Sequence, residues 1–374
     1  MISEKNLAVL GPDCPLDEVH ALGLVSGALG LPAQEGFCEE VRLADGGACG
    51  LCLTTDAEDA ESGPLSTDDD IVCAIGAFDG VHLGHRALIA RAREEARRRG
   101  SRLVAVTFSP DPARVLGDAD NNDLLLPDDR VRFLQTVGAE TVCCLDFTRD
   151  LAGLSYERFV REVLCGLGHL RAIVVGSDFN LGARGAGNVS ALTALGRKAG
   201  FDVIGMELKD SGGAPITATR IRGLLAEGGV EAAAGLLGRC HYVFGRVAHG
   251  RGEGTSFGFP TANVEVADGL LLPAEGVYAA YAVVDGKAWP AAVNVGRPRS
   301  FEPGREGAQF LEATLVGFEG DLYEETVAVV FVRWLREPKN FSTLGELEAT
   351  VLANVSWVRD TLMGHGLAIG EALA

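Results

Sequence analysis

The sequence predicts a chain in two parts: an α/β half built on a doubly wound parallel sheet, then a half of antiparallel strands forming a β-barrel. Three observations carry this. Between residues 71 and 200, short apolar runs alternate with helical patterns, the mark of strand–helix–strand units. Beyond residue 240 the helical patterns give way to strands separated by turns. The charge is also lopsided: of a formal net −19, residues 1–70 hold 15 acids against two bases, net −13, which leaves −6 for the remainder.

Taken in order, residues 1–70 read as an acidic extension, and its end (54–70, with Asp68-Asp69-Asp70) reads as a solvated linker with almost nothing to bury. The first domain is expected over 71–238. Its strands are 71–75, 104–108, 141–145 and 172–175, and its helices 84–99, 128–137, 155–167 and 190–199, with a helical stretch over 221–237 joining it to the next. The second domain is expected over 239–374, with strands at 242–248, 276–284, 291–295, 310–316 and 326–335 and a closing helix at 344–362.

Composition excludes several classes. The acidic balance argues against a nucleic-acid groove, and no apolar run approaches the ~20 residues needed to span a bilayer. Arg86, Arg91, Arg93, Arg97, Arg98 and Arg99 share a helix with apolar Leu88, Ile89, Ala92 and Ala96, so they read as a solvated helix surface. The first residues lack the pattern of a secretory leader, and nine irregularly spaced cysteines read as reduced thiols; a cytoplasmic location is expected. Cys49 and Cys52 form a CxxC, which leaves half a zinc site or a redox pair open, although no second pair follows. No GxxxxGK[ST] occurs, so a Walker loop is excluded. Whether copies of the chain associate is left open.

Gly76-Ala77-Phe78-Asp79-Gly80-Val81-His82-Leu83-Gly84-His85 follows the first strand and opens a helix. The spacing sets two imidazoles at a helix N-terminus, where orphan amides and the positive helix end favour phosphate. That suits attack on a nucleotide α-phosphate, a reaction governed by charge stabilisation. In isolation the motif equally suits a strand–helix turn with two surface histidines.

Further segments decide between these. Phe108-Ser109-Pro110-Asp111-Pro112, Gly176-Ser177-Asp178-Phe179-Asn180-Leu181-Gly182 and Thr217-Ala218-Thr219-Arg220-Ile221-Arg222 follow in order. With the first motif they resemble the HxGH nucleotidyltransferases, and specifically the adenylyltransferase half of bacterial bifunctional riboflavin kinase/FAD synthetases. The resemblance implies that His82 and His85 contact ATP phosphates and act in catalysis. It implies that Gly76, Phe78, Asp79, Gly84 and Asp178 line the nucleotide site, and that Thr219 and Arg220 close on the triphosphate. Three positions depart from the family pattern: Asp111 stands where it has histidine, Ala183 where it has a basic residue, and Ala218 where it has a serine.

In the second half, Gly250-Arg251-Gly252-Glu253-Gly254-Thr255-Ser256-Phe257-Gly258-Phe259-Pro260-Thr261-Ala262-Asn263 offers backbone amides for polyphosphate. Thr261 and Asn263 fall on one side of a strand start and offer oxygens to Mg²⁺. Alone, such a hairpin reads first as a flexible turn, and Glu312 as an exposed strand carboxylate. The stretch is similar to the riboflavin kinase signature, and Gly276-Val277-Tyr278, Asn294-Val295-Gly296, Leu311-Glu312-Ala313 and Gly320-Asp321-Leu322-Tyr323 continue it in family order. The resemblance implies that Gly250, Gly252, Gly258 and Pro260 bind ATP, that Thr261 and Asn263 hold Mg²⁺, and that Asn294 and Tyr278 contact flavin. Glu312 is then the base that deprotonates the ribityl 5′-hydroxyl. Arg297, Gly317 and Glu324 depart from the family order in this half.

The expected function is flavin cofactor synthesis: riboflavin and ATP to FMN, then FMN and ATP to FAD, both with Mg²⁺. Small molecules are the expected partners, with no nucleic acid and no membrane. The alternatives are a kinase whose first domain has degenerated, motivated by Asp111, Ala183 and Ala218, and a non-catalytic flavin- or nucleotide-binding regulator.

Overall fold

The computed structural model describes residues 65–117, 122–248, 261–297 and 309–369, together with Ala21, Val25, Ala28, Leu29, 39–40 and 52–55. The chain divides into two compact units, one of Ala33–Ala218 and one of Met1–Pro32 with Thr219–Ala374.

The first unit is a sheet of seven strands: β1 (Glu39–Glu40), β2 (Cys52–Thr55), β3 (Asp70–Ile75), β4 (Arg102–Ser109), β5 (Thr141–Asp146), β6 (His169–Gly176) and β7 (Asp202–Met206), in the order β1-β2-β5-β4-β3-β6-β7. The last five in that order are parallel neighbours. Every residue from Ile71 to Ile75 is buried, as a strand covered on both faces requires. Between the strands lie α1 (Leu83–Arg99), α2 (Pro112–Leu116), α3 (Pro127–Thr136) and α4 (Val189–Ala199). The helix expected over 155–167 is present with a wide-turned π segment at Phe159–Leu164, which buries Phe159, Val160, Val163 and Leu164.

Two features of this sheet were not anticipated. The linker expected over 54–70 is corrected at its start: Thr54 and Thr55 belong to β2, which pairs antiparallel with β5 from Cys52↔Cys144 to Thr55↔Thr141. Short runs of backbone hydrogen bonding need little apolar sequence at a sheet edge, so hydropathy does not announce them. The fifth parallel strand, β7, was missed for a similar reason, because none of its residues is fully buried. Of the acidic N-terminal stretch, Ala21, Val25, Ala28 and Leu29 are helical and buried at a spacing that shares one helix face. Cys49 lies outside the described residues.

Three of the α1 arginines, expected as part of a solvated helix surface, are tied to acidic side chains. Arg91, Arg98 and Arg99 converge on Glu95, which is 2% exposed, and Arg99 also reaches Asp202 at 2.6 Å. The hydrogen bond from Arg98 first, with Arg99, holds the Glu95 carboxyl well below the usual carboxylate range.

In the second unit α5 (Ala218–Ala226) and α6 (Val230–Leu237) lead into β8 (His241–Ala248), β9 (Ala262–Val266), β10 (Gly276–Val284), β11 (Lys287–Gly296), β12 (Phe310–Leu315) and β13 (Thr326–Arg336). Their order is β10-β13-β8-β9-β12-β11, and pairing of β11 with β10 closes the barrel. All nine residues of β10 are buried. Helix α7 (Leu344–Leu362) follows, and β14 (Leu367–Ala368) adds to β11.

Candidate functional sites

In the first unit the order of the parallel strands reverses between β3 and β6. Ligands of doubly wound sheets bind outside the carboxyl ends of the strands at such a switch point. The loops after β3 and β6 meet there: Gly76, Phe78, His82, Gly84 and His85 from one, and Gly176 and Asp178 from the other, line a single cleft with Thr217 and Ala218. Met206, the last residue of the unpredicted β7, and Leu208 and Lys209 just beyond it also line the cleft. Once β7 is recognised as the strand beside β6, its carboxyl end becomes the place to look.

The loop after β3 is tightly determined. Gly76 N–H donates to the Val106 carbonyl at 3.1 Å, and the Ala77 carbonyl accepts from Thr107 Oγ1 at 2.9 Å and from Arg130 Nη1 at 3.1 Å. Phe78 and Val81 take left-handed φ values of 52° and 39°. His82 caps α1: its Nδ1 accepts the backbone N–H of His85 at 3.3 Å. Since Nδ1 is an acceptor, the proton of the neutral ring sits on Nε2, which leaves that N–H as the donor offered by His82. The two imidazoles stack with centroids 3.6 Å apart, and Phe78 meets His85 edge-on at 5.2 Å. A β-carbon on Gly84 would stand 3.0 Å from His82 Cε1, so only glycine leaves that ring where it is.

Burial, helped by Arg86, pulls His82 down to about 4, and burial, His82 and Arg130 together hold His85 well below the usual histidine range. Both rings are therefore uncharged at neutral pH. Positive charge at the cleft comes from Lys209 and from the N-terminal end of α1.

One expected residue, Asp79, sits elsewhere, and so does Asp111. Asp79 is buried but does not line the cleft; its carboxylate accepts from the amides of Leu124 and Leu125 at 2.9 to 3.1 Å and so anchors the loop. Asp111, the departure from histidine, is likewise outside the lining: it caps α2, its Oδ1 accepting from Ala113 N–H at 2.8 Å. Thr219 and Arg220 occupy the first turn of α5, which belongs to the second unit.

The second unit carries its own cleft on the barrel wall. Antiparallel register sets Asn263 opposite Glu312 and Glu312 opposite Asn294, across β9, β12 and β11. Directly opposed residues share a face of the sheet, so the two carboxamides flank the carboxylate in one row. Thr261, two residues before Asn263, lines the cleft with Asn294 and Glu312, whereas Asn263 itself is placed beside Glu312 by register but is not part of the lining. Arg336 at the end of β13, Phe341, and Leu347 and Val351 of α7 form the facing wall. None of these four belongs to a motif of the sequence; Arg336 ends the last barrel strand and the other three follow it. Gly250, Gly252, Gly258 and Pro260 lie outside the described residues.

Tyr278 is not in this cleft, against expectation. Its neighbour Val277 lines it, and strand alternation sends Tyr278 to the opposite face of β10. There it is 0% exposed, donates its hydroxyl to the Ala274 carbonyl, and packs edge-on against Phe331 and Trp334.

Comparison with known proteins gives the two units separate matches. The family model for FAD synthetase matches residues 65–220, and the model for riboflavin kinase matches 237–362. The chain belongs to the bifunctional riboflavin kinase/FMN adenylyltransferase family. Among family members of that name, the one from Bacillus subtilis is 33% identical over 279 residues, 74% of this chain and 87% of the relative. The Pseudomonas fluorescens relative is 35% identical over 290 residues, 77% and 92% of the two chains, and that of Escherichia coli K12 is 34% identical, covering 75% and 89%. A solved structure described as a macrolide-efflux protein from Streptococcus pneumoniae shares the fold, with a TM-score of 0.72 at 28% identity over 79% of this chain and 96% of that one. Among the described residues, no helix is long and apolar enough to cross a membrane. Strands β1 and β2 come from residues before 65, ahead of the matched range.

Proposed function

We propose that this family member makes FMN from riboflavin and ATP at the barrel cleft, and FAD from FMN and ATP at the switch-point cleft. The observation that carries this reading is that one chain holds both clefts, each lined by the polar groups its reaction requires.

For the kinase step, Glu312 accepts the proton of the ribityl 5′-hydroxyl as that oxygen bonds to the γ-phosphorus and the bond to the β-phosphate oxygen breaks. Asn263 and Asn294, on either side of Glu312, orient the two substrates. Phosphoryl transfer asks little more of a protein than this positioning and charge stabilisation. Thr261 and Asn263 present neutral hard oxygens, which suit Mg²⁺ because that ion keeps several waters and takes further ligands from substrate phosphates. They are the residues that would hold it, and the ion supplies charge neutralisation across the phosphates when bound.

For the adenylyl step, the FMN phosphate attacks the α-phosphorus and pyrophosphate leaves. His82 Nε2–H and the amides at the start of α1 stabilise the charge that gathers there. Asp178 lies across the cleft, beside the nucleoside. The departure at Asp111 does not weaken this reading, because that carboxylate is committed to capping α2. We place the enzyme in the cytoplasm, where thiols such as Cys73, Cys165 and Cys240 remain reduced.

The test is to incubate the protein with riboflavin, ATP and Mg²⁺ and to resolve the flavins chromatographically. FAD is expected. FMN alone would refute adenylyl transfer, and unchanged riboflavin would refute both steps.

A further inference from the structure

Arg130 lies on α3, outside the cleft lining and outside every motif considered above. It is 0% exposed. Its guanidinium donates to three carbonyls from three separate segments: Ala77 at 3.1 Å, Phe108 at 2.7 Å and Leu125 at 3.4 Å. Phe108 ends just before the Ser109-Pro110-Asp111-Pro112 segment, and Ala77 immediately precedes the left-handed turn at Phe78.

That turn needs holding. Non-glycine residues in left-handed backbone cost roughly 1–3 kcal/mol each and persist only where the surroundings over-determine them. Phe78 and Val81 are both in this state, three residues apart, directly before His82. Thr107 and Arg130 take the Ala77 carbonyl from two sides, while Asp79 is fixed by the Leu124 and Leu125 amides. A buried guanidinium is an expensive way to fill space, since apolar residues pack a core at less cost. The carboxylate facing it, Asp123, stands 3.9 Å away, beyond hydrogen-bond distance. The arrangement makes sense if the fork's geometry matters: one rigid group can reach three carbonyls at fixed angles, which an ammonium cannot.

We propose that Arg130 is a positioning residue for adenylyl transfer, its fork clamping the Ala77 carbonyl and thereby the turn that sets His82 and His85 at the cleft. The proposal rests on the adenylyl-transfer reading of that cleft. The charge of Arg130 acts in the same direction electrostatically, adding to burial and His82 in keeping the His85 ring neutral.

The test compares Arg130→Met and Arg130→Lys with the wild type in the full chain, using FMN and ATP for FAD formation and riboflavin and ATP for FMN formation. Misplacing a catalytic group by about 1 Å costs on the order of 100-fold. Arg130→Met is therefore expected to lose about that factor in kcat for FAD formation, with the KM for ATP within about threefold and FMN formation unchanged. Arg130→Lys is expected to recover about tenfold of the loss, since a single ammonium restores one carbonyl contact and the charge. The His85 imidazole, followed by NMR, should titrate higher in Arg130→Met than in the wild type and return in Arg130→Lys.

An Arg130→Met protein that forms FAD within threefold of the wild-type kcat overturns the proposal. So does equal loss of activity in both variants together with loss of cooperative unfolding, which would mark a purely structural role. If Arg130→Met does not fold, Arg130→Lys decides: a kcat about tenfold down with a wild-type unfolding midpoint supports the clamp, and an unchanged kcat refutes it. A wild-type protein that makes no FAD overturns the adenylyl-transfer reading itself, which separates the two failures.

Discussion

Gly84→Ala is the sharpest perturbation of the switch-point cleft. The new methyl group would stand 3.0 Å from His82 Cε1 and 3.1 Å from its Nδ1, nearer than van der Waals contact allows. The ring is also stacked on His85 at 3.6 Å, which restricts where it can move. It must tilt, and the hydrogen bond from His85 N–H to Nδ1 is the interaction lost. Losing a helix N-cap costs about 1 kcal/mol. Replacing glycine by alanine within α1 returns about 1 kcal/mol of helix propensity, so global stability should hardly change. Activity should not share that cancellation. A ring displaced by a few tenths of an ångström falls short of the shift of about 1 Å that costs ~100-fold, so a loss of about tenfold, or about 1.4 kcal/mol of transition-state stabilisation, is expected. The assay is FAD formation from FMN, with thermal unfolding and FMN formation measured on the same preparation. A Gly84→Ala protein with kcat/KM for FAD formation within twofold of the wild type would refute the claim that His82 placement limits this step.

Three further outcomes are expected. Glu312→Gln should lower FMN formation from riboflavin by about 10²–10⁴-fold while conversion of added FMN to FAD continues at the wild-type rate, as chromatography of the products will show. Asp123→Asn should stabilise the protein at pH 8 but not at pH 4. Burial first, then Asp79, pushes the Asp123 carboxyl up to about 6; a raised carboxyl loses stability for the fold as pH climbs from its ordinary value through 6, by at most about 3 kcal/mol. A melting midpoint that responds equally at both pH values would contradict this. Removing residues 1–64 should leave the β5 edge unpaired and promote association, visible by sedimentation; identical behaviour of the truncated and full-length proteins would show that β2 protects nothing.

The parts of this fold legible in the sequence are those where burial and hydropathy agree. Ile71–Ile75 is apolar throughout and buried throughout, and β10 behaves likewise. Edge elements escaped because a strand needs backbone pairing more than apolar side chains: β2 and β7 have weak patterns and were visible only as structure. In the clefts, motif residues on loops came out where the motifs put them, His82, His85, Gly84 and Asp178 together in one place. Tyr278 did not, because strand parity, which a motif does not encode, sends it to the other face of β10 while Val277 faces the cleft. Asp111, which stands where the family has histidine, is the residue before a proline-started helix and caps it. Arg130 could not have been singled out at all, since its three partners are carbonyls from distant segments and only the folded backbone brings them within reach of one side chain.

The stacked, uncharged histidines have a calorimetric consequence. Polyphosphate entering the cleft places negative charge beside rings whose basicity burial has suppressed, so both regain affinity for protons as the nucleotide binds. Nucleotide and proton are then taken up together below the ordinary histidine range, and the proton is drawn from the buffer. The heat released on ATP binding at pH 6 should therefore vary with the ionisation enthalpy of the buffer chosen, with a slope that counts the protons captured, and that slope should shrink when His82 is replaced by asparagine.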